Sequence, residues 1–536
     1  MDRRDRAVRR DLLARAALAQ IPKLLTLQDR NPHSPTFGCF DRNHWHYKII
    51  DFPSGMAQEF AYPLALAYDT DLPDNPFFQK AALVDFVQAG ISFAARSAHA
   101  DGSCDDYFPY ERAGGAAGFS LLACLESTTL LDLENSEALR FFELRATWLA
   151  NHHETGTLTN HQALIALCLE LAGRRLGTDR WKTATRLRIE RVLEWQSSEG
   201  WYREYEGCDP GYLSLTVSLL ARLDELDSKP ELRTSLKRAV DFLTPFIHPD
   251  GSTGGEYASR NTYGYFPHGL ELVGRWLPRA LALNDRYLVG LASGKAAEFA
   301  DDHTIGHHVW NYLLAWRDFA DMRGNAVPDD DARQHHREAG LLVDRRGEYK
   351  LYVALNKGGV FKLFRGNRLV VSDTQFSLRI ESEAGDNIVG HLVDDYDTVV
   401  EADLIRVSGR LGYAKQKPMT PFNLIVLRLV MLSVGRFFPK LIRRLLQRML
   451  ITGKRRSEHR FTRTFRWAEG AWVVVDELQS ERWDDIQSIG IGPDQTSIYV
   501  VMSRTFQPGQ LQPWFDLTER VKSLRPGDVL RLERRW

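Results

Sequence analysis

Six short polar loops recur in the N-terminal part of the chain, about fifty residues apart. Each has an acidic residue followed within a few positions by a glycine, and the loops start at Asp51, Asp101, Glu154, Glu199, Asp250 and Asp301. A strongly apolar run follows each loop, and an amphipathic run with a charged face comes before the next. About fifty residues accommodate two helices and two turns. Each repeat is therefore predicted to be a hairpin with an apolar inner helix and an amphipathic outer helix.

Six such hairpins predict an (α/α)6 toroid over residues 1–337. An open helical solenoid is the alternative, because it uses the same two-helix unit. The closed ring is favoured because a long, elaborate loop precedes every inner helix. Loops of this kind at one end of each inner helix are typical of a shared central cleft, and we expect that cleft to be the functional site.

Residues 338–536 have a different pattern. Segments such as GEYKLYVALNKGG and GAWVVVDELQS alternate or are rich in β-branched residues, and glycine, asparagine and aspartate separate them. Short strands in series predict an antiparallel β-sandwich. A chain of 536 residues is long enough for two large domains.

A basic amphipathic insertion interrupts the predicted sandwich at about 417–460. Eleven Lys or Arg lie between Arg428 and Arg463, against the single acid Glu458. Apolar residues interleave at helical spacing, a pattern typical of helices that lie on anionic membranes. We therefore expect residues 422–456 to contact a membrane surface, and the alternative is a basic helix packed on the toroid with its charges in solvent. A nucleic-acid partner is not expected, because the formal net charge is only −1 and a single basic helix is weak support.

The N-terminus is basic but lacks the apolar core and cleavage site of a signal peptide, and the five cysteines are scattered. These features predict a cytoplasmic protein that contacts the inner membrane peripherally. No cofactor and no metal are expected. The adjacent histidines His307 and His308 would diverge on a helix and could not share one ion.

The second to fifth loops combine carboxylates, aromatic rings, Arg and Asn, which are the groups that bind a sugar. Aromatic faces stack on its C–H surface, acids and amides bind its hydroxyls, and Arg pairs with a uronate carboxylate. A polysaccharide or oligosaccharide is therefore the expected partner. The aspartates of the two Asp-Gly-Ser sequences, Asp101 and Asp250, are interpreted as turn residues. The candidate site residues are Asp105, Tyr110, Glu111, Asn160, His161, Tyr205, Glu206, Asp209, Tyr212, Glu256, Tyr257, Arg260 and Asn261.

A toroid followed by a sandwich, with Asn160-His161, Tyr212 in EGCDPGY, and DGSTGGEY followed by Arg260-Asn261, resembles the heparinase II/III-like and alginate-lyase-like polysaccharide lyases. The resemblance implies that Asn160 binds a uronate carboxylate and that Arg260 assists its neutralisation. It implies that His161 or Tyr257 removes the C5 proton and that Tyr212 protonates the leaving oxygen. A cytoplasmic, membrane-touching enzyme of this kind fits exopolysaccharide synthesis or remodelling.

Three alternatives remain open from the sequence. Proton abstraction without elimination is C5 epimerisation, so a uronate epimerase is a close neighbour in mechanism. A non-catalytic glycan-binding assembly protein would use the same loops for binding alone. An inverting glycoside hydrolase would need two carboxylates about 6.5–9.5 Å apart, drawn from Asp105 or Asp106 with Glu206, Asp209 or Glu256.

Overall fold

The structure is a computed structural model of the chain. It describes residues 3–154, 156–205, 207–297, 299, 304–323, 333–381, 386–414, 419–438, 441–442, 445, 455–492 and 508–536.

Helices occupy the chain up to residue 317. They are α1 (Arg3–Leu18), α2 (Ile21–Leu27), α3 (Arg42–Trp45), α4 (Ala61–Asp69), α5 (Ala82–Ser97), α6 (Gly114–Leu130), α7 (Ser136–Asn151), α8 (Thr159–Leu176), α9 (Lys182–Glu194), α10 (Pro210–Leu226), α11 (Pro230–Leu243), α12 (His268–Gly274), α13 (Pro278–Ala292) and α14 (Ile305–Arg317).

The even-numbered helices from α4 to α14 form the inner ring. Each packs on the next one, and α14 packs on both α12 and α4, so the ring closes. These helices are buried almost all round, which is why their sequences are apolar on every face. The prediction of a closed toroid instead of an open solenoid is confirmed.

The outer ring consists of α5, α7, α9, α11, α13 and α1. In α11 the buried residues Leu232, Leu236, Val240 and Leu243 recur at helical spacing, so one stripe faces the inner ring. The N-terminal helix α1 packs on α13 and α14 and completes the outer ring. It is held there by Arg10, whose guanidinium stacks on the Trp316 ring at 3.8 Å and whose Nε donates to the Trp316 carbonyl oxygen.

The strands begin at residue 334, four residues before the predicted domain boundary. They are β1 (Gln334–His336), β2 (Leu341–Arg346), β3 (Tyr349–Ala354), β4 (Val360–Arg365), β5 (Arg368–Asp373), β6 (Phe376–Ile380), β7 (Asn387–Val389), β8 (Asp397–Val400), β9 (Leu404–Tyr413), β10 (Arg456–Ala468), β11 (Ala471–Gln479), β12 (Ile486–Ile491), β13 (Phe515–Asp516) and β14 (Val529–Arg535).

These strands form two antiparallel sheets. The first has the order β1-β2-β3-β4-β5, and the second has the order β13-β12-β6-β7-β9-β10-β11-β14, with β8 paired to β9. The core between them includes the edge-to-face pair Phe361 and Phe465, whose ring centroids are 5.1 Å apart. The predicted antiparallel sandwich is confirmed.

The first sheet lies between the toroid and the second sheet. Alternate side chains of β3 point to opposite faces, so Leu351 and Val353 join the sandwich core while Tyr352 and Ala354 join the core of the toroid. Every residue of β3 is buried as a result. The Tyr352 hydroxyl donates to the Pro245 carbonyl oxygen of the toroid at 3.1 Å.

The predicted insertion begins with α15 (Pro421–Val430), which a π-helical turn, Met431–Gly435, continues. None of the ten side chains of α15 is buried. Residues 439–440, 443–444 and 446–454 of the insertion lie outside the described residues. Among the helices that are described, none is both long and apolar enough to cross a membrane.

Candidate active site

Asn160 stands in the first turn of α8 and is bound to Glu204 of the fourth loop. The backbone N–H and the side-chain Nδ2 of Asn160 both donate to Glu204 Oε1, each at 2.9 Å. Both residues are buried, and Asn160 Oδ1 has no hydrogen-bond partner among the described residues. Burial raises the pKa of Glu204 to about 7, although the two hydrogen bonds from Asn160 oppose the rise. Glu204 therefore fixes the amide of Asn160 at the mouth of the helix.

His161, the next residue, contacts a carboxylate of the third loop. Its Nδ1 lies 2.7 Å from Glu154 Oε2, and the Glu154 side chain is buried while the His161 ring is one-fifth exposed. A carboxylate on Nδ1 favours the tautomer whose Nε2 carries a lone pair. Gly115 of α6 makes room for the ring, because a Cβ at that position would lie 2.6 Å from His161 Cε1.

Tyr212 occupies the third position of α10, as His161 does in α8. Asp209 caps the N-terminus of α10: its Oδ1 accepts from the backbone N–H groups of Gly211 and Tyr212, at 3.0 and 3.2 Å. Burial raises the pKa of Tyr212 above its ordinary value, and the cation of Arg260 partly opposes this. Tyr212 is therefore a neutral phenol at physiological pH, and of the charges near it Arg260 is the one that would stabilise its phenolate.

Asp209 itself is fully engaged within the protein. Besides capping α10, it accepts from the Thr262 hydroxyl and, through Oδ2, from the Arg260 backbone N–H at 3.1 Å. Burial raises its pKa, and these hydrogen bonds oppose the rise. The sequence predicted that Asp209 binds substrate. In the structure, Asp209 connects the fourth loop to the fifth through these hydrogen bonds.

Arg260 is half-buried, and its guanidinium lies over the ring of Tyr205, with 4.3 Å from Cζ to the ring centroid. Tyr205 has a positive φ of 53° and is fixed by its backbone N–H, which donates to the Thr157 carbonyl oxygen at 2.7 Å. Arg260 Nε has no partner among the described residues. The Tyr205 ring therefore fixes the orientation of a cation of the kind that pairs with an anionic ligand.

These residues meet where α8 and α10 begin. The two helices pack on each other, and the fourth loop bridges their N-terminal ends through Glu204 and through the Thr159 hydroxyl, which donates to the Arg203 carbonyl oxygen. Glu204 interacts electrostatically with both Tyr212 and His161. Asn160, His161, Tyr205, Tyr212 and Arg260 are thus brought to one part of the rim.

The second-loop candidates form hydrogen bonds within their own part of the chain. Asp105 accepts from the backbone N–H groups of Tyr110 and Arg112, at 2.7 and 3.0 Å, and pairs with His99 Nε2 at 3.0 Å. The Tyr110 ring stacks on His99, and Glu111 accepts from a backbone N–H at 2.8 Å. These carboxylates brace their own loop, and Tyr110 shapes the rim beside it.

Three fifth-loop candidates lie in the contact between the domains. Glu256 is buried, and although burial would raise its pKa, the Lys362 ammonium group 3.2 Å away lowers it to about 2. The Tyr257 hydroxyl lies 2.9 Å from a ring nitrogen of His248, and Tyr257 is only 1% exposed. The Asn261 side-chain oxygen accepts from the buried Lys357 ammonium group. Glu256 and Asn261 hold the sandwich on the toroid through Lys362 and Lys357, and the Tyr257 ring stacks on Tyr352 of β3.

Glu206 lies outside the described residues. Two residues outside the candidate set, Glu154 and Glu204, hold His161 and Asn160 in place. Both are acidic residues in the third and fourth loops, so their residue type was visible in the sequence. The contacts that select them join residues 7 and 44 positions apart, and no local pattern marks such a pairing.

The protein is an α/α toroid joined to an antiparallel β-sandwich. Solved structures of other proteins share this architecture. The chondroitin AC lyase of Streptomyces coelicolor A3, solved in complex with chondroitin sulphate, superposes with a TM-score of 0.58 over 90% of this chain and 67% of that chain, at 12% identity. The Paenibacillus xanthan lyase gives a TM-score of 0.53 over 90% of this chain and 46% of that chain, also at 12% identity.

This chain therefore spans about half the length of the xanthan lyase and about two thirds of the chondroitin lyase. No family model and no curated protein matches the sequence. The likeness to polysaccharide lyases that the sequence motifs suggested is confirmed at the level of the fold.

Proposed function

We propose that this protein is a carbohydrate-active enzyme that removes the C5 proton of a uronate residue in a polysaccharide and eliminates the O4 substituent. The observation that carries the proposal is the grouping of Asn160, His161, Tyr212 and Arg260 at the start of two adjacent inner helices. The fold shared with two polysaccharide lyases supports the same class of substrate.

Charge neutralisation is the first requirement of this reaction. The C5 proton becomes acidic only when the negative charge of the neighbouring carboxylate, which grows as an enolate forms, is offset. Arg260 supplies a cation whose orientation the Tyr205 ring fixes. Asn160 would supply the second N–H of its Nδ2 group, because the first donates to Glu204, and this bond holds the amide rigidly so that little reorganisation accompanies the reaction.

Proton transfer is assigned to His161 and Tyr212. His161 Nε2 accepts the C5 proton while Glu154 on Nδ1 stabilises the imidazolium that forms. The C5–H electron pair becomes the C4–C5 double bond, the C4–O4 bond breaks, and the leaving oxygen takes the hydroxyl proton of Tyr212. Tyr212 can take the acid role because its phenol is protonated at physiological pH, and the Arg260 cation, which opposes the rise in its pKa, stabilises the phenolate that forms. Tyr257 is not given a role, because its buried hydroxyl is bonded to His248.

The carboxylates favour this reaction over inverting hydrolysis. A hydrolase needs one acid and one base with access to the glycosidic bond. The described candidates all accept hydrogen bonds or ion pairs from the protein itself; they are Asp105, Asp106, Asp209 and Glu256. Exopolysaccharide synthesis or remodelling remains the proposed setting.

The test is incubation with polymers containing glucuronate, galacturonate or mannuronate, followed by the ultraviolet absorbance of an unsaturated product. His161→Ala and Tyr212→Phe should each abolish the absorbance. His161→Gln keeps a polar contact for Glu154, so a loss of activity in this variant would not be due to misfolding. Tyr257→Phe removes a buried tyrosine hydroxyl elsewhere in the toroid and is the matched control for Tyr212→Phe.

The other outcomes assign other functions. New reducing ends without absorbance would replace the proposal with hydrolysis, and deuterium incorporation at C5 without chain cleavage would replace it with epimerisation. Glycan binding with no product of any kind would favour a non-catalytic assembly protein. Full activity in His161→Gln and His161→Ala would refute the role given to His161.

A further inference from the structure

An unusually apolar surface covers residues 419–438, which we name the rim helix. Ten large apolar side chains in this segment are at least 41% exposed, among them Phe422 at 74%, Phe437 at 73% and Leu429 at 62%. Single exposed apolar residues are ordinary on soluble proteins, but a contiguous group of this size marks a binding surface. The charged and polar groups that normally cover such a helix are missing from it: α15 carries one ionisable residue, Arg428.

The rim helix is fixed to the toroid through its two arginines. Arg428 Nη1 lies 2.7 Å from Asp51 Oδ1, and its guanidinium lies over the Phe52 ring. Arg436 lies over the Tyr110 ring, with 5.5 Å from Cζ to the centroid. Met431 is buried beneath the segment. The cations therefore face the first and second loops of the toroid, and the apolar side chains face outwards.

The positive charge of residues 419–456 favours an anionic lipid surface over a second copy of the chain as the partner of the apolar surface. Residues 419–456 contain nine Lys or Arg and no Asp or Glu, whereas the whole chain has a formal net charge of −1. A second copy of the chain would bring two such basic segments together across a symmetric interface, and like charges would repel. An anionic lipid surface accepts the apolar side chains and is attracted by the net positive charge of the segment.

We infer that the rim helix docks on an anionic membrane surface, with Phe422, Leu429 and Phe437 entering the boundary between headgroups and acyl chains. The segment lies on the membrane and does not span it. Its attachment to the first and second loops places the lipid surface beside the rim on which His161 and Tyr212 lie. If the proposed function holds, the substrate is a glycan held close to a membrane.

The test is co-flotation of the intact chain with vesicles of phosphatidylcholine alone or mixed with phosphatidylserine. Flotation is expected only with the anionic vesicles and should weaken as salt is raised. The triple variant Phe422→Ser/Leu429→Ser/Phe437→Ser should partition at least tenfold less. Leu187→Ser/Val289→Ser is the control, because these residues of the outer helices α9 and α13 are 53% and 52% exposed and do not belong to the rim helix. It should float like the wild type.

Three results would overturn the inference: no flotation with anionic vesicles at low salt, equal flotation of the triple variant, or a stable dimer in sedimentation that the triple variant dissociates. The last result would assign the surface to a second copy. Flotation requires no turnover, so its failure is distinguishable from a failure of the proposed enzymatic activity.

Discussion

Glu204 gives the sharpest test of the geometry at the start of α8, through the substitution Glu204→Gln. Glutamine keeps an oxygen that accepts the two N–H groups of Asn160 but never ionises. Burial raises the pKa of Glu204 in the folded protein to about 7, from an ordinary value of 4.5. At roughly 1.36 kcal/mol per pKa unit, the folded protein is destabilised by about 3 kcal/mol when this carboxyl is fully ionised.

The sign follows from the raised pKa. The wild type has its full stability below pH 4.5 and loses stability as the pH rises through about 7, whereas Glu204→Gln undergoes no such loss. The free energy of unfolding of the variant minus that of the wild type should therefore increase by about 2–3 kcal/mol between pH 5 and pH 8.

Urea denaturation at several pH values, followed by the helical circular-dichroism signal, measures this difference. The signal reports the toroid because nearly all the helices lie there. Glu190→Gln, on the exposed surface of α9, controls for the general loss of a negative charge. Parallel stability curves for the wild type and Glu204→Gln would refute the reasoning, because they would mean that Glu204 ionises as easily in the folded protein as in the unfolded chain.

The remaining predictions concern other parts of the molecule. Gly115→Ala places a Cβ 2.6 Å from His161 Cε1 and should lower kcat/KM at least tenfold at unchanged melting temperature; full activity would contradict the role of His161. Tyr257→Phe removes only the contact with His248, so it should destabilise the protein by about 1 kcal/mol with kcat retained, as urea titration and turnover will show. Arg323→Met leaves Glu271 buried without its cation and should reduce the free energy of unfolding by about 3–5 kcal/mol. The control Arg186→Met breaks an exposed ion pair and should cost less than about 1 kcal/mol. Equal effects of the two substitutions on the free energy of unfolding would refute the argument from burial.

Much of the fold was readable from the sequence because its repeats are local. A helix that has neighbours on every side is apolar all round, whereas a helix with one face in solvent is amphipathic. The alternation of these two kinds of sequence therefore predicted the six inner helices correctly. The sixth outer helix was not readable in this way. It is α1, which precedes the first loop by more than thirty residues and reaches α13 and α14 only because the ring closes.

The site was only partly readable, because a loop has no period that tells which side chains face a cleft. Glu256 and Arg260 stand four residues apart in one motif, yet Glu256 pairs with Lys362 of the sandwich while Arg260 stacks on Tyr205 of the neighbouring loop. Nothing in the motif distinguishes them, since the first sheet that covers Glu256 is formed by residues about a hundred positions away.

The sequence by itself determined that six helical hairpins come first, that strands follow, and that the loops before the inner helices carry the polar chemistry. Only the tertiary structure decided which partners those polar residues have. Asp209, Glu256 and Tyr257 are bonded within the protein, while Asn160 and His161 are each held by a carboxylate at the mouth of α8. The physical reason is that periodicity follows from contacts between near neighbours in the chain. The availability of a buried polar group depends instead on partners that folding brings from distant positions.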